Sequence, residues 1–354
     1  MRRTAVYRHD LFLEHQPGFE HVESPDRLQV VYEALDKADT GPRLSFPTFA
    51  AATPEIIGLN HSPALIKRVA ETAGRRHDYL DADTQTSPRS YEAACLAAGA
   101  LIDGMQRIAA KEVDNAFCLV RPPGHHAERS RAMGFCLFNN VAIAAQFGLA
   151  RMGMKQILIV DWDLHHGNGT QHSFYGTDQV LYFSTHQYPH YPGTGSLFEI
   201  GEGKGEGFTL NCPLPGGQGD RDFHRIFQEL LVPVARQYRP DFILVSCGFD
   251  IYGGDPLGAM RVSAEGFADM TGIVQELADE ICQGRLLITL EGGYNLHGMR
   301  DGSLAVLTAL SGEQLAPDLP AFQQNLQSKE NISADEQPIY LRQAIDLAKS
   351  YWKM

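Results

Sequence analysis

The sequence predicts an α/β domain with a central, mostly parallel sheet and helices on both faces. Two observations predict it. Short apolar runs recur from about residue 115 onward, and longer amphipathic stretches separate them; seven of the fourteen histidines crowd into positions 125–190, which bears on the chemistry. Apolar runs that do not alternate with polar residues are expected of strands buried on both faces, as in parallel sheets. Strand-helix-strand units then place helices on either side.

In chain order, Pro25–Lys37 and Tyr91–Ala110 read as helices. The second is Ala-rich, with Ala94, Leu101, Ile102, Met105 and Ile108 available to cover one face of the sheet. The strands are Ala116–Val120 (AFCLV), Gln156–Val160 (QILIV), Val180–Ser184 (VLYFS), Phe242–Cys247 (FILVSC) and Leu286–Leu290 (LLITL). Between them Val141–Met152, Asp222–Tyr238 and Ser263–Cys282 read as helices. No Pro/Ser-rich linker and no internal repeat divides this region, so residues 1–310 are expected to form one domain. Residues 311–354 begin with a polar excursion, Ser311–Gln337. They end in a helix, Pro338–Trp352, whose Leu341, Ala344, Ile345, Ala348 and Trp352 share one face and should dock back on the domain.

Composition narrows the function classes. With 44% hydrophobic and 21% charged residues in 354, the chain has enough apolar material for a large core. Its 43 acidic against 30 basic residues leave a net charge of −13, which argues against a nucleic-acid binder, since phosphate neutralisation needs Lys and Arg. The six cysteines are scattered singly in apolar runs, as in a reducing compartment. No apolar run approaches the roughly 18 residues that span a bilayer. A cytoplasmic protein that binds no membrane is therefore expected, and a homo-oligomer is left open.

The histidine clusters follow predicted strands, and open α/β sheets bind ligands at the carboxyl ends of strands. In VDWDLHHGNGTQ (160–171), alternation sends Asp161, Asp163 and His165 to one side, so Asp163 and His165 can share a metal ion. Asp250 lies just past the strand FILVSC. A lone Asp after a strand more often caps a helix than binds a metal. The D-W-D-L-H-H run together with a second Asp-bearing strand end points instead to a three-ligand site, Asp163, His165 and Asp250. Its two carboxylates would balance a divalent charge and leave positions open for water and substrate. The mixed N/O set favours zinc, with iron or another divalent ion as alternatives. In RPPGHHAERS, His125 and His126 are candidates for general acid/base work beside such a site. In LEGGYNL, Gly292 and Gly293 allow close backbone approach and Tyr294 can present a hydroxyl to an oxyanion.

Taken together, RPPGHHA, GFCLFNN, DWDLHHGNGTQ, PGTG, GFDIYGGDPLG and LEGGYNL resemble the zinc-dependent histone deacetylase family of the arginase-deacetylase superfamily, over roughly residues 20–310. The D-W-D-x-H-H-G-N-G-T-Q wording is similar to the class II branch and its bacterial relatives. The resemblance implies the single-domain arginase-deacetylase fold and removal of acetyl or other acyl groups from lysine. It implies one zinc ion on Asp163, His165 and Asp250, with His126 as principal base and acid. His125 then gives electrostatic support, backed by Asp161, and Tyr294 polarises the carbonyl. It further implies a substrate tunnel walled by Gly134, Phe135 and Tyr191 with Leu257 at the rim. A structural K+ at Asp161, Asp163, His165, Ser184 and Thr185 and a channel arginine at Arg27 complete the match. Asn168 stands where the class I pattern has Asp, so the partner of His126 carries no charge. Tyr252 and Gly167 occupy the places where arginase has further metal-binding aspartates, which argues against a binuclear site. Asp81 and Asp83 lie where the family has an Asp that binds substrate backbone, and the sequence does not choose between them. Acetylpolyamines are the alternative substrate, and a non-catalytic acyl-lysine binder the alternative class.

Overall fold

The computed structural model describes residues 2–315 and 337–354, apart from 19 and 39. Its strands are β1 (Thr4–Tyr7), β2 (Leu44–Ser45), β3 (Asp78–Tyr79), β4 (Gln85–Thr86), β5 (Asn115–Cys118), β6 (Ile157–Asp161), β7 (Val180–Gln187), β8 (Thr209–Leu214), β9 (Phe242–Cys247) and β10 (Leu286–Leu290). Eight of them pair in parallel in the order β2-β1-β5-β10-β9-β6-β7-β8, while β3 and β4 form a separate antiparallel pair. Every residue of β5, β6, β9 and β10 is buried, which is why these strands read as unbroken apolar runs.

The helices are α1 (Asp26–Lys37), α2 (Pro54–Ile57), α3 (Pro63–Ala70), α4 (Ser90–Ala109), α5 (Asn140–Arg151), α6 (Asn168–Phe174), α7 (Asp220–Ile226), α8 (Val232–Tyr238), α9 (Ala264–Cys282), α10 (Leu296–Ser311) and α11 (Ile339–Ala348). A π turn, Phe227–Leu231, joins α7 to α8, so the helix expected over Asp222–Tyr238 is interrupted. None of the described helices is long and apolar enough to cross a membrane. All six cysteines are buried and unpaired. The polar excursion expected over Ser311–Gln337 lies largely outside the described residues. In α11, Leu341, Ala344, Ile345 and Ala348 are buried in the main core. Just beyond, Trp352 Nε1 donates to the carbonyl of Gly207 at 3.0 Å.

Two features of this fold set the site. First, β5, β10, β9 and β6 are consecutive in the sheet, so the loops leaving their carboxyl ends converge. Second, side-chain caps mark where two of these excursions become helix. Asn139 Oδ1 accepts the Ala142 amide at 3.0 Å to start α5, and Asn295 Oδ1 accepts those of His297 and Gly298 to start α10.

Behind the β10 loop lies a buried charge cluster. Glu23 accepts from Arg27 Nη1 at 2.8 Å and from Arg121 Nη2 at 2.7 Å, and all three side chains are fully buried. Arg27 also donates to the carbonyls of Gly293 and Glu291, each at 2.6 Å. Burial by itself would raise the Glu23 carboxyl, but Arg121 and His15 hold it well below the ordinary range. A depressed carboxyl contributes stability that is present above its unfolded pKa and lost as pH falls through the folded value. Glu23→Ala should therefore cost about 3–5 kcal/mol at neutral pH, by leaving two buried guanidiniums uncompensated. In chemical denaturation, the difference from wild type should shrink as the pH falls below the ordinary carboxyl range. A variant with wild-type stability at pH 7 would contradict this.

Candidate functional site

The segment after β5 runs through Pro122, Pro123 and Gly124 to His125 and His126, which are 2% and 4% exposed. Its backbone is held from β10: Glu291 Oε2 accepts the amides of Gly124 at 2.6 Å and His125 at 3.1 Å, while its other oxygen accepts from Ser246 Oγ at 3.0 Å. Burial outweighs these contacts and lifts the Glu291 carboxyl to about 7. The two imidazoles have centroids 4.0 Å apart and different partners. His125 Nδ1 donates to Asp161 Oδ2 at 3.1 Å, and the same oxygen accepts from Tyr182 Oη at 3.0 Å. His126 Nδ1 lies 2.8 Å from Asn168 Oδ1, an acceptor, so Nδ1 carries the proton and Nε2 the lone pair.

Asp161 ends β6, and Asp163 and His165 follow with burial almost complete. Asp250 follows β9. Ligand atoms of Asp163, His165 and Asp250 lie within 4.8 Å of one another, with His165 Nδ1 3.2 Å from Asp163 Oδ1 and 3.1 Å from Asp250 Oδ2. Backbone amides fix both carboxylates. Gly292 donates to Asp163 Oδ2 at 2.8 Å and Leu164 to Asp250 Oδ1 at 2.9 Å. A side chain at 292 could not fit, because its Cβ would lie 2.4 Å from Asp250 Oδ2 and 2.7 Å from Asp163 Oδ2.

Buried carboxylates and imidazoles shift one another strongly in this cluster. Burial and the charge of Asp163 raise the Asp250 carboxyl, while His125 and His165 hold Asp163 low against the effect of burial. His165 is pushed up to about 9 and His125 to about 10, since the adjacent carboxylates outweigh desolvation. His126 goes the other way: burial and the positive character of His125 and His165 push it well below the usual range. Two carboxylates and one imidazole nitrogen, buried and aimed at one point, are the donor set of an open divalent site.

Aromatic rings stand beside the cluster. Tyr191 stands edge-on to His126, with centroids 5.1 Å apart, and Phe135 is T-shaped to Tyr294 at 6.0 Å. Gly134 adopts φ +58°, and a Cβ there would lie 2.4 Å from His126 Cδ2, so only glycine lets this wall close on the imidazole. The Gly134 amide donates to Asp83 Oδ1 at 3.0 Å, whereas Asp81 pairs with Arg131 at 2.7 Å. Tyr294 lies under the guanidinium of Arg27, 4.9 Å from its ring centroid, and burial keeps its hydroxyl protonated, well above the ordinary tyrosine range. Asp255 fixes its position: one oxygen accepts the amides of Tyr294 at 2.7 Å and Asn295 at 3.0 Å, the other that of Leu257 at 3.0 Å. Ser184 pairs in register with Asp161 across β6 and β7, and the buried Thr185 hydroxyl has no hydrogen-bond partner among the described residues.

The structure thus brings His125, His126, Asp161, Asp163, His165, Asp250 and Asn168 together, with Gly134, Phe135, Tyr191 and Tyr294 around them. His166 and His186 belong to a separate buried network, with His166 bonded to Thr194 and Gln171 and His186 to the Gly195 carbonyl. Sequence reasoning passed over Glu291, Asp255 and Tyr182. Each acts on a residue 20 or more positions away, and only the sheet order could have revealed them.

A model of the histone deacetylase domain matches residues 21–310. Histone deacetylase 15 of Arabidopsis thaliana is 41% identical over 305 residues, covering 85% of this chain and 54% of that protein. A probable deacetylase of Archaeoglobus fulgidus is 37% identical over 317 residues, 88% of each chain. The chain thus spans about half the length of the plant relative and most of the archaeal one. The crystal structure of the HDA15 HD domain superposes with a TM-score of 0.87 at 37% identity, over 99% of this chain and 95% of that one.

Proposed function

The chain belongs to the histone deacetylase domain family, and from that premise we propose that it is a zinc-dependent amidohydrolase that removes acetyl or other acyl groups from the ε-amine of lysine. The observation that carries the reading is one geometry: three ligand atoms within 4.8 Å of one another beside an imidazole whose free nitrogen is Nε2. Asp163, His165 and Asp250 would hold the zinc, which when bound supplies the positive charge that polarises the acyl carbonyl and acidifies a water.

The protein's own groups do the rest. His126 takes a proton from the attacking water on Nε2, the nitrogen left bare because Nδ1 donates to Asn168, and returns one to the leaving amine. His125, anchored by Asp161, gives electrostatic support beside the carbonyl as negative charge develops on its oxygen. Tyr294, held protonated, donates its hydroxyl to that oxygen. Gly134, Phe135 and Tyr191 form the walls around the acyl-lysine stem and exclude water, with Leu257 at the rim. The register of Asp161 with Ser184, together with a buried Thr185 hydroxyl that has no partner among the described residues, supports a structural K+ at Asp161, Asp163, His165, Ser184 and Thr185. Six buried, unpaired thiols support a cytoplasmic location.

Acetylpolyamines are the second reading, favoured only by the net acidic charge, since Leu257 offers no carboxylate to a second amine. The metal-loaded protein should turn over acetyl-lysine peptides at least about tenfold better, in kcat/KM, than acetylated polyamines. A reversed ratio would transfer the assignment to the amines.

A further inference from the structure

We propose that Glu128 is a positioning residue for the reaction, acting through Asn168 to fix the tautomer of His126; the inference rests on the reading of His126 as the base. Asn168 is a two-sided group. Its Oδ1 can only accept and its Nδ2 can only donate, so a flip of the amide about its last bond would exchange what it offers to its neighbour. On one side stands His126 Nδ1, 2.8 Å away. On the other stands Glu128 Oε1, 2.8 Å from Asn168 Nδ2. A carboxylate only accepts, so it compels Nδ2 to face it. Oδ1 must then face His126, the Nδ1 of His126 must carry the hydrogen, and the lone pair is left on Nε2. The direction of two hydrogen bonds is set by the one group in the row with no choice.

Without Glu128, the alternatives open to Asn168 Nδ2 are poor: the His126 carbonyl at 3.4 Å and Met133 Sδ at 3.5 Å. A flipped amide would donate to Nδ1, force the hydrogen onto Nε2 and leave His126 unable to accept a proton there. Glu128 is itself steadied from the far side. His172 Nδ1 lies 2.9 Å from the same Oε1, and the Glu128 backbone pairs with Arg131 and receives His61 Nδ1 on its carbonyl at 2.9 Å. Its side chain is 30% exposed, so solvent screens its charge and its effect on His126 runs through bond direction rather than field. An Asp at 168 would need no such director, because a carboxylate has no N–H to turn toward the imidazole.

That last point supplies the test. Glu128→Ala in the metal-loaded full chain should lower kcat by about tenfold, the factor associated with one hydrogen bond to a charged group, with KM and melting temperature little changed. Nitrogen-15 NMR of the imidazoles should show His126 shifting from the Nδ1–H toward the Nε2–H form. In the Asn168→Asp background, where Glu128 Oε1 would face a second carboxylate instead of an amide N–H, Glu128→Ala should no longer lower kcat and His126 should keep its Nδ1–H form. The proposal is overturned if Glu128→Ala keeps wild-type kcat and tautomer, or if it costs the same factor in both backgrounds. Should the wild-type chain fail to cleave acyl-lysine, the deacylase reading falls while the tautomer measurement still decides the role of Glu128.

Discussion

Tyr294→Phe should lower kcat by about 10²- to 10³-fold, with KM for an acetyl-lysine peptide and metal content held near wild type. The range follows from what loss of one oxyanion donor typically costs, about 2.7–4 kcal/mol. The substitution removes one hydroxyl and leaves the ring contacts with Phe135 and Arg27 in place. The Tyr294 and Asn295 amides, which hold the turn to Asp255, are untouched. The donor is therefore removed without disturbing its frame, so the effect should fall on turnover and spare binding and folding. A drop confined to KM would mean that the phenol only lines the tunnel.

The second large effect concerns Asp250. Asp250→Asn keeps an oxygen to accept the Leu164 amide while deleting the charge that balances a divalent ion. Metal affinity and turnover should collapse together, to background. Stability should separate from activity. In the metal-free protein Asp250 and Asp163 share a buried site, and burial first, then the charge of Asp163, raises the Asp250 carboxyl. Metal-free Asp250→Asn should thus melt no lower than metal-free wild type. Only the wild type should gain from added zinc, by about 2.7 kcal/mol at a hundredfold excess over Kd.

Much of this was legible in the sequence, for a definite reason. The strands that carry the site, β5, β6, β9 and β10, are buried on both faces and short, so they stand out as apolar runs, and the chemistry follows each within a few residues. The candidates Asp163, His165, Asp250 and the two histidines stood out because strand end and candidate residue are neighbours along the chain. What escaped was set by tertiary contact. Thr4–Tyr7 is only four residues long and lies close behind two arginines; Thr209–Leu214 carries Pro213, tolerable because β8 is an edge strand. The amphipathic segment at Asp222–Tyr238 gave no sign of the π turn within it. At the site, the aspartates of the 81–83 loop separate only once Asp83 is seen on the Gly134 amide and Asp81 on Arg131. Glu128 and Glu291 sit in plain view inside quoted motifs. Nothing local distinguishes them from other surface or strand-end acids, because the groups they orient arrive from other parts of the sheet.

On the proposed reading, hydrolysis of acyl-lysine requires a metal ion held by Asp163, His165 and Asp250. The direct measurement is a titration of zinc into chelator-stripped wild-type protein, following bound metal and turnover of an acetyl-lysine peptide in the same samples. No turnover is expected at the start, then a rise in proportion to occupancy that ends at one equivalent per chain. Turnover that persists in the stripped protein, or that stays absent with the three-ligand site filled, would contradict it.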